Sequence, residues 1–167
     1  MKKLLLGLAA AAAVAGPFAA AGSASAAGAP VTTTSDPVWV SASSETPVEL
    51  PALNSQFTSM TISVNGTAKW YQGADNPACI ITYLGGAAFT TGYAQTSASP
   101  ALLREGAQVG SVIYRVDNGD WQPLTGAPIV ALHDGVAHHV QVIVNDRPGS
   151  YGDNTGGFNV TVTRTKG

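Results

Sequence analysis

Hydrophobic and polar residues alternate along most of this chain, and this period of two is the strongest constraint on its fold. Because successive side chains of a β-strand point to opposite faces, the alternation predicts half-buried strands. No window of eleven residues carries an apolar stripe at helical spacing. The alternating apolar positions are Val48 and Leu50; Met60, Ile62 and Val64; Val112, Tyr114 and Val116; Val140, Val142 and Val144; and Phe158, Val160 and Val162.

Turn residues separate these segments. Asn118-Gly119, between Val116 and Trp121, is typical of a tight hairpin. Many short strands separated by turns predict an all-β domain, either a sandwich or a closed barrel. Because no second compositional regime follows residue 37, we expect a single β-domain over residues 38–167.

The first 26 residues have the pattern of a secretory signal peptide. Lys2 and Lys3 precede an apolar run from Leu4 to Ala15, and small residues follow up to Ala26. The apolar run is shorter than the roughly 20 residues that a membrane span needs. We therefore expect cleavage near Ala26 and a secreted protein without a membrane span.

Residues 27–37 are rich in Thr, Ser and Ala, which predicts a flexible lead-in to the domain. Ten acidic and eight basic residues leave the chain slightly acidic, so it has no broad cationic surface for nucleic acid. The single cysteine, Cys79, cannot form an intrachain disulfide, and its apolar neighbours predict a buried thiol.

Catalytic motifs are absent from the sequence. No Gly-x-Ser-x-Gly string occurs, and the acidic residues are scattered among turns. The adjacent His138 and His139 would point to opposite faces of a strand, so they are poorly placed to share a metal ion. We therefore predict that the protein is not an enzyme.

A glycine-rich segment between two alternating strands concentrates oxygen donors. Asp146 follows one strand, and Asp153 and Asn154 precede the next, so a loop of ordinary length brings the three side chains together. Carboxylate and amide oxygens are ligands of hard cations such as calcium. The alternative is that Asp, Asn and Gly only form the turn, because tight turns favour the same residue types.

The order of residues in this segment resembles a known family. The calcium-dependent galactophilic lectins of the bacterial PA-I type have a C-terminal signature similar to Tyr-Asn-Asp-x-Pro-Gly-Thr-Tyr-Gly-Asn-Asn-Ser-Gly-x-Phe-x-Val. In this chain the corresponding sequence from Asn145 to Val160 is Asn-Asp-Arg-Pro-Gly-Ser-Tyr-Gly-Asp-Asn-Thr-Gly-Gly-Phe-Asn-Val. Weaker similarity continues upstream, at residues 65–71 and 110–116.

The resemblance implies a small jelly-roll-like β-sandwich, similar to galactose-binding domains, with one calcium ion at its rim. Asp146, Asp153 and Asn154 would supply side-chain oxygens and Ser150 a main-chain carbonyl. A further carbonyl would come from Trp70 or Tyr71. The residues that would face the sugar are Asp146, Arg147, Asp153, Asn154 and Trp70.

Three departures bear on specificity. Asp153 stands where the family has Asn, which adds negative charge to the ligand set and favours calcium. Arg147 stands where the family has a small apolar residue. Residues 72–109 contain no His, although family members use a His and a Gln after the aromatic strand to contact galactose. The resemblance therefore implies a sugar site without implying galactose specificity.

The leading hypothesis is a secreted calcium-dependent carbohydrate-binding protein, whose partners are glycans or glycoconjugates. The bound ion would bridge two sugar hydroxyls. Family members assemble as tetramers, so the resemblance also implies a homo-oligomer, which no feature of this sequence itself indicates. The alternative hypothesis is a secreted structural or protein-binding β-sandwich that has lost sugar recognition.

Overall fold

The computed structural model describes residues 29–54, 56–70, 79–86, 89–91, 102–130 and 136–166, so the predicted signal peptide lies outside the described residues. A 3-10 helix at Tyr151–Asp153 precedes the last strand. The strands are β1 (Val31–Thr34), β2 (Val38–Ser41), β3 (Val48–Glu49), β4 (Ser59–Lys69), β5 (Ile80–Gly86), β6 (Phe89–Thr91), β7 (Val112–Val116), β8 (Gln122–Pro123), β9 (Ile129–Val130), β10 (Val140–Val144) and β11 (Thr155–Lys166).

The strands form two antiparallel sheets. The larger sheet has the order β1-β11-β4-β5-β6, with β2 also paired to β11 and β9 to β4. The smaller sheet has the order β3-β10-β7-β8. Each sheet buries the alternating apolar side chains of one face, which confirms the predicted all-β sandwich.

The core is built from the residues that the alternation predicts. Val64, Val142 and Val160 are fully buried between the sheets, and the rings of Tyr83 and Phe158 pack edge to face with centroids 5.2 Å apart. Cys79 is buried and unpaired, as expected from its apolar neighbours. No helix in the described residues is long and apolar enough to cross a membrane.

The lead-in differs from the prediction. Part of residues 27–37 forms β1, which pairs with β11 in the register Val31 to Lys166 through Thr34 to Thr163. All four residues of β1 are exposed. The strand is therefore held by backbone hydrogen bonds rather than by burial, so the hydrophobic pattern gave no signal for it.

The predicted hairpin joins β7 to β8. Asp117 and Asn118 have φ values of 50° and 60°, and Gly119 N donates to Val116 O over 2.8 Å. His138 and His139 lie on opposite faces, as predicted: His138 is buried and its Nδ1 contacts Asp117, whereas His139 is exposed.

Candidate functional site

The segment 145–154 crosses from the smaller sheet to the larger one. It begins where β10 ends and stops where β11 starts. Its first residues continue the pairing beyond β10, because Asn145 N donates to Ser111 O and Gly110 N donates to Asn145 O, over 2.7 and 2.8 Å. The start of the loop is therefore fixed by the backbone of Gly110 and Ser111.

Asn145 fastens a second loop beside the first. Its side chain is fully buried, and its Oδ1 accepts a hydrogen bond from Arg104 N over 2.9 Å. Its Nδ2 donates to the carbonyl oxygens of Arg104, Ala107 and Gln108. Residues 104–108 are thus held against the base of the candidate site.

Asp146 is a buried carboxylate at the centre of the loop, with 6% of its surface exposed. Its Oδ1 accepts from Arg147 N and its Oδ2 from Asn154 Nδ2, both over 2.7 Å. Burial raises the pKa of Asp146 above its ordinary value, and the charge of Asp153 acts in the same direction. The hydrogen bonds from Asn154 and Arg147 lower that pKa but do not outweigh burial.

Asn154 is oriented by two acceptors. Its Nδ2 donates to Ala42 O over 3.0 Å and to Asp146 Oδ2 over 2.7 Å. Because both partners are oxygens, the NH₂ group must face them, which fixes the direction of Oδ1. Asn154 Oδ1 is buried and accepts no hydrogen bond from the described residues.

Asp153 has a second oxygen of this kind. Its Oδ1 is also buried without a hydrogen-bond donor among the described residues. The 3-10 helix places Asp153 directly before Asn154, and Asn154 N donates to Tyr151 O over 3.1 Å. Buried acceptors without a donor are rare in folded proteins and call for an explanation such as a bound ion.

Other contacts hold the outer part of the loop. The Tyr151 hydroxyl donates to Val144 O over 2.7 Å, and burial together with the charge of Asp146 raises the pKa of Tyr151. Gly149 N, in a left-handed conformation at φ 88°, donates to Glu45 Oε1 over 2.7 Å. The loop is therefore anchored at its middle as well as at its ends.

The remaining predicted residues are placed as follows. Ser150 is half-buried, and its N donates to Arg147 O over 2.9 Å. Arg147 is exposed beside Asp146. Trp70 is half-buried at the end of β4, next to Gly110, whose added Cβ would lie 3.0 Å from the indole Cδ1. Tyr71 lies outside the described residues.

The arrangement suits a hard cation better than a transition metal. No group of three or more His, Cys, Asp or Glu side chains that could hold a metal ion occurs in the described parts of the chain. Asp146, Asp153 and Asn154 instead offer two carboxylates and an amide oxygen, which is the donor chemistry that calcium accepts. Asp153 Oδ1 and Asn154 Oδ1, which accept no hydrogen bond from the described residues, and the buried carboxylate of Asp146 fit such an ion.

The family comparison bears on this same region. The profile described as "PA-IL-like protein" matches residues 87–166, a range that contains the whole loop and β11. These residues are similar to the PA-IL-like family. The match confirms the family suggested by the motif from Asn145 to Val160.

The comparison with solved structures also found a similar chain. The chain is similar to a structure described as "EclA N-terminal domain; PllA-like lectin", with a TM-score of 0.47 and 18% sequence identity. The alignment covers 78% of this chain and 97% of that one. No curated protein matches the chain.

The sequence pattern did not predict the residues that support the loop 145–154 from outside. Glu45 and the carbonyl of Ala42 contact Gly149 and Asn154 across more than a hundred residues of sequence. No local pattern marks such partners, because they are set by how β2 pairs with β11. Asn145 carried a weak signal: a polar residue directly after an apolar strand must find hydrogen-bond partners if it is buried.

Proposed function

We propose that this protein is a secreted, non-enzymatic lectin that binds carbohydrate through a calcium ion held by Asp146, Asp153 and Asn154. The similarity of residues 87–166 to the PA-IL-like family supports carbohydrate binding. The leader pattern of residues 1–26 supports secretion. The observation that carries the proposal is the pair of buried, unpartnered oxygens, Asp153 Oδ1 and Asn154 Oδ1, beside the buried carboxylate of Asp146.

The energetics of the loop favour a cation. Repulsion from the charge of Asp153 contributes to the raised pKa of Asp146. A divalent ion between them would replace this repulsion by attraction. Asn154 would contribute its oxygen without further rotation, because its NH₂ group is already held by Ala42 and Asp146.

The ligand set would be completed by main-chain carbonyls, for which Ser150 and either Trp70 or Tyr71 are the proposed sources. When bound, calcium supplies coordination positions at which two sugar hydroxyls replace water. Asp146, Asp153 and Asn154 would then accept hydrogen bonds from the same hydroxyls. Trp70 is proposed to contact the apolar side of the sugar.

Arg147 gives the proposed site a feature of its own. Its side chain is exposed at the loop beside Asp146, so its guanidinium can reach a ligand bound there. A guanidinium donates several hydrogen bonds in a fixed plane and pairs well with carboxylates. We therefore propose neutral or acidic sugars as ligands rather than galactose alone.

The proposal is tested by applying the purified chain to a glycan array with calcium and again with a chelator. We expect binding to a subset of glycans with calcium and none with the chelator. The variant Asp146→Ala should lose this binding, whereas Asp120→Ala, an exposed acid on the β7–β8 hairpin, should keep it. Binding that persists in chelator, or that survives Asp146→Ala, contradicts the proposal.

A structural role for the ion is the second candidate. The carboxylate of Asp146 is buried and is repelled by the charge of Asp153, which favours a structural role. A cation would stabilise the loop whether or not sugar binds. Thermal unfolding separates the two functions. A rise in melting temperature with calcium, together with an empty glycan array, supports the structural role.

A further inference from the structure

The outer face of the larger sheet carries a straight row of four exposed side chains. Trp39 on β2 pairs with Asn159 on β11, Asn159 pairs with Asn65 on β4, and Asn65 pairs with Leu84 on β5. The neighbours Phe158 and Val160 are buried, so Asn159 points away from the core. This row spans three strand spacings, roughly 14 Å.

The indole of Trp39 is packed against the sheet rather than extended into solvent. It lies over Gly157 on β11, where an added Cβ would be 2.6 Å from Trp39 Cζ2 and 2.4 Å from Val40 O. Gly157 is buried although it belongs to the outer face, because the ring covers it. With 53% of Trp39 still exposed, the ring is held in place and open to solvent.

The polar members of the row are available to a ligand. Asn65 and Asn159 are exposed, and their amide groups make no hydrogen bond to the part of the chain that the structure describes. Each amide offers two donors and one acceptor oxygen. They stand directly opposite each other across β4 and β11.

The outer-face residues directly beside the row are uncharged, whereas Lys69, at the end of β4, places a charge further along the same face. Thr67 and Thr82 bond to each other through their hydroxyls over 3.1 Å. The described residues directly beside the row are Ser41, Ser63, Thr67, Thr82, Gly157 and Thr161. A charged partner would therefore find no ion pair immediately beside the row.

We propose that this row is a second carbohydrate contact, which binds a neutral glycan chain by stacking on Trp39 and hydrogen bonding to Asn159 and Asn65. A sugar ring presents an apolar face to an aromatic ring and hydroxyls at its edge, which matches one flat indole beside two exposed amides. A protein partner is a poorer match. The two apolar members, Trp39 and Leu84, lie at opposite ends of the row and form no continuous apolar core for an interface.

This second contact does not use Asp146, Asp153 or Asn154 and needs no metal ion. It therefore goes beyond the proposed lectin site and does not depend on it. A chain with both contacts would hold one polysaccharide at two points, which raises the overall affinity without a tighter individual site.

The test is a titration of the ¹⁵N-labelled chain with cellohexaose in the presence of a chelator, observed through the indole N–H signals of its three tryptophans. We expect the Trp39 signal to shift, while those of Trp70 and Trp121 stay unchanged. Trp39→Ala should weaken cellohexaose binding about tenfold, and Trp39→Phe should retain part of it. Asn159→Ala should weaken binding by a smaller factor, with the Trp39 signal still shifting.

Three outcomes overturn the inference: no shift of the Trp39 signal with cellohexaose, a shift that appears only when calcium is added, or a shift that follows protein concentration without glycan. The last outcome would indicate a contact between copies of the chain. Because the chelator inactivates the calcium-dependent site, failure here leaves the proposed lectin function intact, and failure of the lectin function leaves this result intact.

Discussion

Asn154 Nδ2 donates to Asp146 Oδ2 over 2.7 Å, and this hydrogen bond orders both residues of the candidate calcium site. The second bond of the same nitrogen, to Ala42 O, uses the remaining donor of the amide. The acceptor end of Asn154 is consequently left for a ligand, and Asp146 is kept in place although its burial is unfavourable.

Exchanging the donor of Asn154 for an acceptor should destabilise the fold. Asn154→Asp would point a carboxylate oxygen at Ala42 O and at Asp146 Oδ2, so three acceptors would face one another. We expect a loss of roughly 2 to 4 kcal/mol in the free energy of unfolding, measured with urea in the presence of chelator. Asn159→Asp, the same change at an exposed position, should cost less than about 0.5 kcal/mol. Equal stability of the two variants would contradict the role of Asn154.

Removing the charge of Asp153 should have opposite effects on stability and on calcium binding. Asp153→Asn relieves the repulsion with Asp146, so the calcium-free protein should gain up to about 1 kcal/mol. The retained oxygen should still bind calcium, but more weakly, because the site loses one negative charge. Thermal unfolding in chelator and calorimetric titration measure the two effects. A calcium-free variant that melts below the wild type would argue against charge repulsion in the loop.

Calcium affinity should decrease in mild acid because Asp146 has a raised pKa. A proton competes with the ion for this carboxylate, and the competition begins at a higher pH than for an ordinary Asp of pKa 3.8. In the absence of calcium the sign is reversed: between pH 3.8 and the raised value, the folded state holds the proton more tightly, so this group favours folding more as the pH falls. Calcium titrations at several pH values test this. An affinity that stays constant down to pH 3.8 would contradict it.

Asn145 should be one of the most sensitive polar positions. Asn145→Ala would remove the side-chain acceptor of Arg104 N and one donor to each of the carbonyls of Arg104, Ala107 and Gln108. We expect a loss of about 2 to 5 kcal/mol in urea unfolding. Faster hydrogen exchange at Arg104 N should accompany it. A loss below about 1 kcal/mol would show that residues 104–108 do not depend on this side chain.

Two glycines near the site allow a matched comparison. Gly157→Ala would place a methyl group against Val40 O and the ring of Trp39, whereas an added Cβ at Gly152 meets no atom within 4 Å. We expect Gly157→Ala to destabilise the protein by more than about 1 kcal/mol and to shift the Trp39 indole signal. Gly152→Ala should stay within about 0.5 kcal/mol of the wild type. Similar stability for both variants would mean that Trp39 is not packed on Gly157.

The sequence predicted those strands that bury one face, because burial of one face makes apolar and polar residues alternate. The segments around Val64, Val142 and Val160 became strands because each buries one face. The strand Val31–Thr34 was missed, since it is exposed on every residue and is held only by pairing with β11. The alternation of apolar residues indicates which side chains are buried, but it does not indicate which strands pair.

For the candidate site, the sequence predicted the residues of one loop but not their partners from distant strands. Asp146, Asp153 and Asn154 are close in sequence, so one loop was enough to predict their convergence, and a hydrogen bond joins Asp146 to Asn154. The contributions of Ala42 and Glu45 depend on the pairing of distant strands and have no local signal. The orientation of the Asn154 amide likewise became visible only with its two acceptors in place.

The most direct test of the proposed calcium site is a calorimetric titration of calcium into the chelator-treated protein and into the double variant Asp146→Ala/Asp153→Ala. We predict one calcium ion per chain for the wild type and no binding for the double variant, with circular dichroism showing the same β-structure in both. A wild-type protein that binds no calcium, or a folded double variant that binds it equally well, would contradict a calcium site at Asp146, Asp153 and Asn154.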